Sequence, residues 1–452
     1  MPARLIESLA TTEQLAEVFS DESLLQAMLD FEVALARAEA RTGILPKPAA
    51  ENISAAANAG DFDIPALARG MFRAGTAAIP MVKALTEKVR GRNSKAAAWV
   101  HWGATSQDVA DTAIVLLLQR ARSILTADLR RLENALAKLS EQHKDTVMLG
   151  RTLMQAAPPV TFGLKVAGWL GAVHRDGQRL AAAFDEASVV QFGGGSGTLA
   201  SLGDKGSVVA HALAKELGLS CPEAPWHTHR DRLANLLCAC GILTGSLGKM
   251  ARDISLLMQS EVAEVAEPGG QGRGGSSTMP HKRNPIACAL TLAASQRVPE
   301  LVANFLLTMV QEHERGVGSW QSEWPVIASI IQSTGSAASS MAEVAEGLSV
   351  DPRRMRQNLE NTKGTIFAER AVMLLGAKLG RDVAHKILED ATGKSIAQNK
   401  RLSAVLAELP EVRSSLDRAV LEQLEVPEQY LGSAETFRQA LLKASTQKKE
   451  ED

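Results

Sequence analysis

The run GRGGSSTMPHKRNP, Gly272 to Pro285, brings a pair of hydroxyls, a cation and an amide into one short stretch. Ser276 or Ser277 could carry a proton to or from a reacting carbon, and Lys282 with Asn284 could clamp an anionic group. Such chemistry depends on donors and cations aimed in advance at the atoms where negative charge develops. Glycines at 272, 274 and 275 suit a backbone that turns sharply, lies close to a ligand or closes as a lid.

Four further stretches carry polar groups whose purpose pattern alone leaves open. In HWGATSQD, His101, Thr105, Ser106 and Asp108 precede an apolar helical pattern. A T-S-x-D run there reads either as a helix N-cap or as a carboxylate or phosphate site built on free backbone N–H groups. GRTLMQAAPP offers Arg151, Thr152 and Gln155 as donors just before Pro158 and Pro159. FGGGSGTLASLG, Phe192 to Gly203, has neither the spacing nor the strand context of a Rossmann or P-loop phosphate site. In QEHERGVGSWQSEW, His313 and Arg315 could bind anions, with Glu312, Glu314 and Glu323 as partners; in isolation the run also reads as a solvated charge cluster.

The elements that must position these groups are helices. Leu24, Met28, Phe31 and Leu35 recur at helical spacing until Gly43 and Pro46 end the pattern. Leucines at 118, 125, 129, 132, 136 and 139 keep a heptad-like rhythm. A second long helix is expected from about Arg232 to Glu264, where Gly241, Gly245 and Gly248 suggest close approach of another backbone, and a third from Pro285 toward Gln311. Strand-like alternation is scarce. The pattern predicts an all-α protein with its longest helices in the middle third and smaller helical regions at either end. The leucine seam and the glycine face should need partners beyond one chain.

Bulk composition excludes several classes. Forty-nine Lys and Arg against fifty-one Asp and Glu give a formal charge of −2, unlike the basic excess of a nucleic-acid binder. Four cysteines form no CxxC pair, so neither a zinc site nor a disulfide framework is expected, and a reducing cytoplasm is the predicted setting. The N-terminal residues lack a signal-peptide pattern. Trp324–Ala342 is uncharged but rich in Ser and Thr, which predicts a buried bundle helix and no membrane association.

GGSSTMPHKRNP resembles the GSSxMPxKxNP loop of the fumarase/aspartase superfamily, and the T-S-x-D and G-R-T-x-x-Q stretches precede it in that superfamily's order. The resemblance covers nearly the whole chain. It implies three helical domains, residues 1–112, 113–355 and 356–452, a homotetramer cored by long central helices, and active sites shared by three subunits.

Leu153 follows Gly-Arg-Thr where amine-releasing members, such as the adenylosuccinate lyases, carry a proton-donating histidine. Leucine transfers no proton, whereas a carboxylate, with an ordinary pKa near 4, departs or attacks as the anion. HWGATSQD, PWHTHRDR (Pro225–Arg232), the serine loop and QEHER are similar to the superfamily branch that lactonises 3-carboxy-cis,cis-muconate. That resemblance implies protocatechuate breakdown through the β-ketoadipate pathway, with 4-carboxymuconolactone as product and no metal or organic cofactor. It implies Ser276 as proton donor or acceptor, with Ser277 beside it, and Lys282 and Asn284 stabilising an aci-carboxylate. It implies that Thr105 and Ser106 hold carboxylate oxygens and that Arg315, Arg151 and His101 neutralise the rest of a small polycarboxylate. Thr152, Gln155 and His313 are further binding candidates, His281 is expected to fill the loop, and Leu153 to form an apolar wall of the substrate site. The rival readings are a nitrogen lyase, a cycloisomerase for 3-sulfomuconate, and a crystallin-like structural protein.

Overall fold

Helix α1 (Asp21–Arg41) begins where the Ser20 hydroxyl accepts from the Ser23 N–H at 3.1 Å, with Asp21 and Glu22 in its first turn and Arg41 in its last. Its inner face buries Leu25, Met28, Leu29, Phe31 and Leu35, and also two carboxyl groups, Glu32 and Glu39. The chain then reaches Gly43 at φ +68°, as the Gly43–Pro46 stop predicts.

The computed structural model describes residues 5–270, 274–275, 278–279 and 282–446. The protein is all-α. Its long elements are α1, α2 (Ser106–Gln142), α3 (Phe162–Ala187), α4 (Asp231–Leu257), α5 (Ile286–Thr308) and α6 (Ser319–Gly347). Between α2 and α3 lies an antiparallel hairpin of β1 (Val147–Thr152) and β2 (Gln155–Thr161), and a second short pair joins β3 (Val265–Ala266) to β4 (Ser349–Val350). The chain divides into two compact units. One comprises Met1–Arg130, Arg175–Gly248 and Leu290–Ser340; the other comprises Arg131–His174, Lys249–Ala289 and Met341–Asp452.

Within the second unit, Val147 and Leu149 of β1 enter a core with Leu359, Phe367, Leu375, Leu388, Leu402 and Leu406. The hairpin that carries Gly-Arg-Thr is therefore rooted in packed apolar side chains. A Cβ at Gly150 would lie 2.2 Å from the Pro158 carbonyl oxygen, so only glycine fits beside the bulge between Met148 and Gly150.

Three expectations need correction. The G-R-T stretch is a strand, which Pro158 and Pro159 disguised; a two-stranded ribbon has free edges where a missing N–H costs nothing. Helix α4 stops at Leu257 rather than near Glu264, because Ala263 turns to φ +49° and Val265 pairs with Val350. The leucines at 118, 125, 129, 132, 136 and 139 are all buried within the single chain, so the seam calls for no partner. The glycine face is partly explained inside the first unit as well: a Cβ at Gly248 would meet Ser295 Cβ at 2.6 Å, although nothing lies near Gly245. Trp324–Ala342 falls inside α6. By length and composition α4 is apolar enough to cross a membrane, yet 61% of its most apolar window is buried inside the protein.

Candidate active site

The first two turns of α2 are buried and polar: Gln107, Asp108, Asp111 and Thr112 are all nearly inaccessible. Asp108 Oδ2 accepts the Thr105 N–H at 3.0 Å and the Gly194 N–H at 2.9 Å, while Oδ1 accepts the Gly193 N–H at 3.1 Å. His227 Nε2 completes the set, 2.7 Å from Oδ1. Asp108 is thus a cap that also ties the glycine-rich turn to the T-S motif. The Thr105 N–H, open to a ligand on sequence grounds, is already engaged. The turn must be glycine to come this close, since a Cβ on Gly193 would meet His227 Cε1 at 2.6 Å.

One helical turn further, Asp111 receives Arg230 Nη1 at 2.8 Å and Nη2 at 3.1 Å. Arg230 also grips Glu323, with Nη2–Oε2 at 2.6 Å, and its guanidinium stacks 4.7 Å from the Trp226 ring centroid. Trp320 Nε1 donates to Asp111 and Gln311 Nε2 to Glu323. Burial, with the Asp111 charge adding to it, pushes the Glu323 carboxyl up to about 7 against the opposing pull of Arg230. Burial disfavours the charged Arg230, but Asp111 and Glu323 outweigh it and hold the guanidinium protonated.

Asp108 and the glycine-rich turn join two expected residues of the first unit, Thr105 and Arg315, with Ser106 starting α2 beside Thr105. Arg315 Nη2 donates to the Gly194 carbonyl at 2.6 Å and the Gly195 carbonyl at 3.1 Å. His313, exposed and at φ +48°, accepts from the Thr228 hydroxyl through its carbonyl. His101 Nδ1 lies 2.6 Å from the buried Glu32 carboxylate.

The second unit holds the other expected groups. Arg151 forks onto Glu264, with Nη2–Oε1 at 2.7 Å and Nη1–Oε2 at 3.0 Å, and Asn358 Nδ2 donates to the same carboxylate. Its charge is therefore already matched by a buried partner. Burial holds the nearby Lys165 ammonium below the ordinary lysine range, with Asp253 opposing. Thr152 and Gln155 pair across the hairpin end and are exposed. Between them Leu153 and Met154 form the tip at φ +50° and +67°, a strained setting for bulky side chains. Leu153 is 97% exposed, so it forms no wall within its own chain.

Lys282 is exposed and its N–H bonds the Met279 carbonyl at 3.0 Å. The Asn284 N–H bonds the Gly274 carbonyl at 2.9 Å, and Gly274 sits at φ +63° where a Cβ would meet Asn284. Glu267 caps the following helix by accepting from the Ala287 and Cys288 N–H groups. Ser276, Ser277 and His281 lie outside the described residues. A groove of about 680 Å³ lined by Arg37, Arg41, Lys47 and Glu51 contains none of the expected site residues.

Sequence reasoning missed Glu32, Asp111, His227 and Arg230 as parts of this framework. Glu32 had a signal, a carboxyl among the apolar positions of α1, which is costly unless partnered.

A lyase family model matches residues 7–299, and a model of the adenylosuccinate lyase C-terminus matches residues 364–441. The chain belongs to the lyase family. It is 46% identical to a 3-carboxy-cis,cis-muconate cycloisomerase of Bradyrhizobium diazoefficiens over 97% of both chains, and 48% identical to one of Pseudomonas aeruginosa over 93% of this chain and 92% of that one. Among solved lyase-family structures, the 3-carboxy-cis,cis-muconate lactonizing enzyme of Pseudomonas putida superposes with a TM-score of 0.93 at 44% identity, covering 98% of this chain and 99% of that one. The resemblance to the fumarase/aspartase superfamily and its cycloisomerase branch therefore holds. The adenylosuccinate lyase match concerns C-terminal residues that include none of the expected catalytic groups.

Proposed function

We propose that the protein is an intramolecular lyase that lactonises 3-carboxy-cis,cis-muconate to 4-carboxymuconolactone in protocatechuate catabolism. The observation that carries this reading is likeness over almost the full chain to cycloisomerases of 46–48% identity. Leu153 separates it from the nitrogen-lyase reading, because that side chain supplies no proton to a leaving amine.

In the proposed reaction one substrate carboxylate oxygen forms a C–O bond to a carbon of the diene. The displaced electron pair moves to the neighbouring carbon and delocalises into its carboxylate as an aci-carboxylate. Lys282 and Asn284 stabilise that charge, and the Ser276 hydroxyl delivers a proton to carbon and regains one from solvent. Thr105, Ser106, Ser277, Thr152 and Gln155 bind carboxylate oxygens, with His101, His313 and Arg315 supplying further donors. Arg151, paired with Glu264, stiffens the hairpin and offers its outer edge.

The protein is further proposed to be a cytoplasmic homotetramer with three domains, 1–112, 113–355 and 356–452, and shared active sites. An exposed, strained Leu153–Met154 tip supports a hairpin that meets another chain. Four free cysteines suit a reducing compartment. The test is a spectrophotometric assay with 3-carboxy-cis,cis-muconate, 3-sulfomuconate and adenylosuccinate in parallel. Turnover of the first alone is expected. Fumarate release from adenylosuccinate, or preference for the sulfonate, would replace the proposal with a rival, and a monomer peak in light-scattering chromatography would remove the shared site.

A further inference from the structure

Glu32 and Glu39 lie two turns apart on the buried face of α1, and each is 1% exposed. Glu32 has a partner, His101 Nδ1 at 2.6 Å, and neither oxygen of Glu39 has one. His101 itself is held at φ +60°, a conformation uncommon for a residue with a Cβ, and its side chain is 19% exposed. Burying the Glu32 carboxyl beneath a strained, partly exposed imidazole is expensive unless the two groups pair.

We propose that Glu32 is a positioning residue: it fixes the Nδ1 edge of His101 and keeps the ring an imidazolium, so that Nε2–H serves as a charge-assisted donor to a substrate carboxylate. The chemistry of the ring requires this. With Nδ1–H given to Glu32, a neutral imidazole has only a lone pair at Nε2 and repels a carboxylate; an imidazolium donates from both edges. Burial by itself would lower the His101 pKa. The charge and hydrogen bond of the Glu32 carboxylate beside it, together with Asp108 at the start of α2, outweigh that, and the net shift is upward. Asp108 is itself engaged by His227. Burial, with the Glu32 charge adding, raises the Glu39 carboxyl to about 9, so it stays neutral and places no second charge beside Glu32.

The inference rests on the proposed carboxylate-binding role of His101, and two readouts on the full-length protein keep the two apart. The first is independent of substrate: histidine labelled with carbon-13 at Cε1, followed by NMR across pH, with His101→Gln assigning the resonance. Glu32→Gln is expected to lower the His101 midpoint by about one pH unit or more, and Glu32→Asp by less. An unchanged midpoint would overturn the proposal whatever the enzyme's substrate proves to be. The second readout is turnover of 3-carboxy-cis,cis-muconate. Glu32→Gln should raise KM about tenfold near pH 8 and much less near pH 6, with kcat nearly constant, because the anion is lost as a donor-bound ligand only when the ring deprotonates. A loss in KM that is the same at both pH values would mean a merely structural Glu32 and would sink the idea. If Glu32→Gln fails to fold, the Glu32→Asp titration and KM profile decide by the same criteria.

Discussion

His227 Nε2 lies 2.7 Å from Asp108 Oδ1, inside a carboxylate that also accepts three backbone N–H groups. One side chain thereby fixes the start of α2, the glycine-rich turn and the segment ahead of α4. Asp108→Asn places an amide against donors that need an acceptor, so about 1–3 kcal/mol of stability should go, together with most activity. Urea unfolding and kcat/KM on 3-carboxy-cis,cis-muconate check this; native stability and rate in that variant would show that the cap is dispensable.

Arg230 is the only cation among the described residues within bonding distance of both Asp111 and Glu323. Arg230→Met should cost about 3–5 kcal/mol, because two buried carboxylates are left facing each other. Arg230→Lys keeps the charge but not the fork and should fall in between. Denaturation midpoints give the order directly.

Glu39 gives a stability prediction with a definite sign. A carboxyl raised to about 9 from an ordinary 4.5 is protonated in the fold while the unfolded chain ionises. Its contribution is neutral below the unfolded pKa and increasingly unfavourable as pH rises toward the folded one, at most roughly 1.4 kcal/mol per pH unit. Glu39→Gln should therefore match the wild type near pH 5 and exceed its stability by at least ~1 kcal/mol near pH 8. Thermal unfolding at the two pH values measures it, and a gain at acid pH alone would reverse the assignment.

Ser276→Ala should lower kcat by roughly 10²–10⁴-fold with KM little changed, since the hydroxyl is proposed to act in the transition state. Near-normal kcat in this variant, with the loss appearing in Ser277→Ala instead, would move the proton to the neighbouring serine. Leu153→His should leave the fold intact, because histidine tolerates φ +50° better than leucine and the position is exposed in the single chain. It should give neither faster lactonisation nor adenylosuccinate cleavage in the parallel spectrophotometric assays.

Much of this was written in local chemistry. The helical period of Met28, Phe31 and Leu35, the stop at Gly43, and the start of α5 after Pro285 each depend on neighbours a few residues away, so the chain alone specifies them. The serine loop and the substitution of leucine at 153 are also local facts, and they identified the family branch. The exception was the G-R-T hairpin, where Pro158 and Pro159 and a tip without Asn or Gly conceal a turn made at the expense of backbone strain.

What the sequence could not determine was which polar groups face each other. Asp108 lies 119 residues from His227, Asp111 the same distance from Arg230, and Glu32 lies 69 residues from His101. Such pairs have no periodicity, and each side chain read singly is a cap, a surface charge or a core flaw. Only the packing that removes them from water makes an unpaired charge intolerable and so selects the partner. The tertiary structure likewise decided that Arg151 is bound to Glu264 and that the leucine seam is closed within one chain.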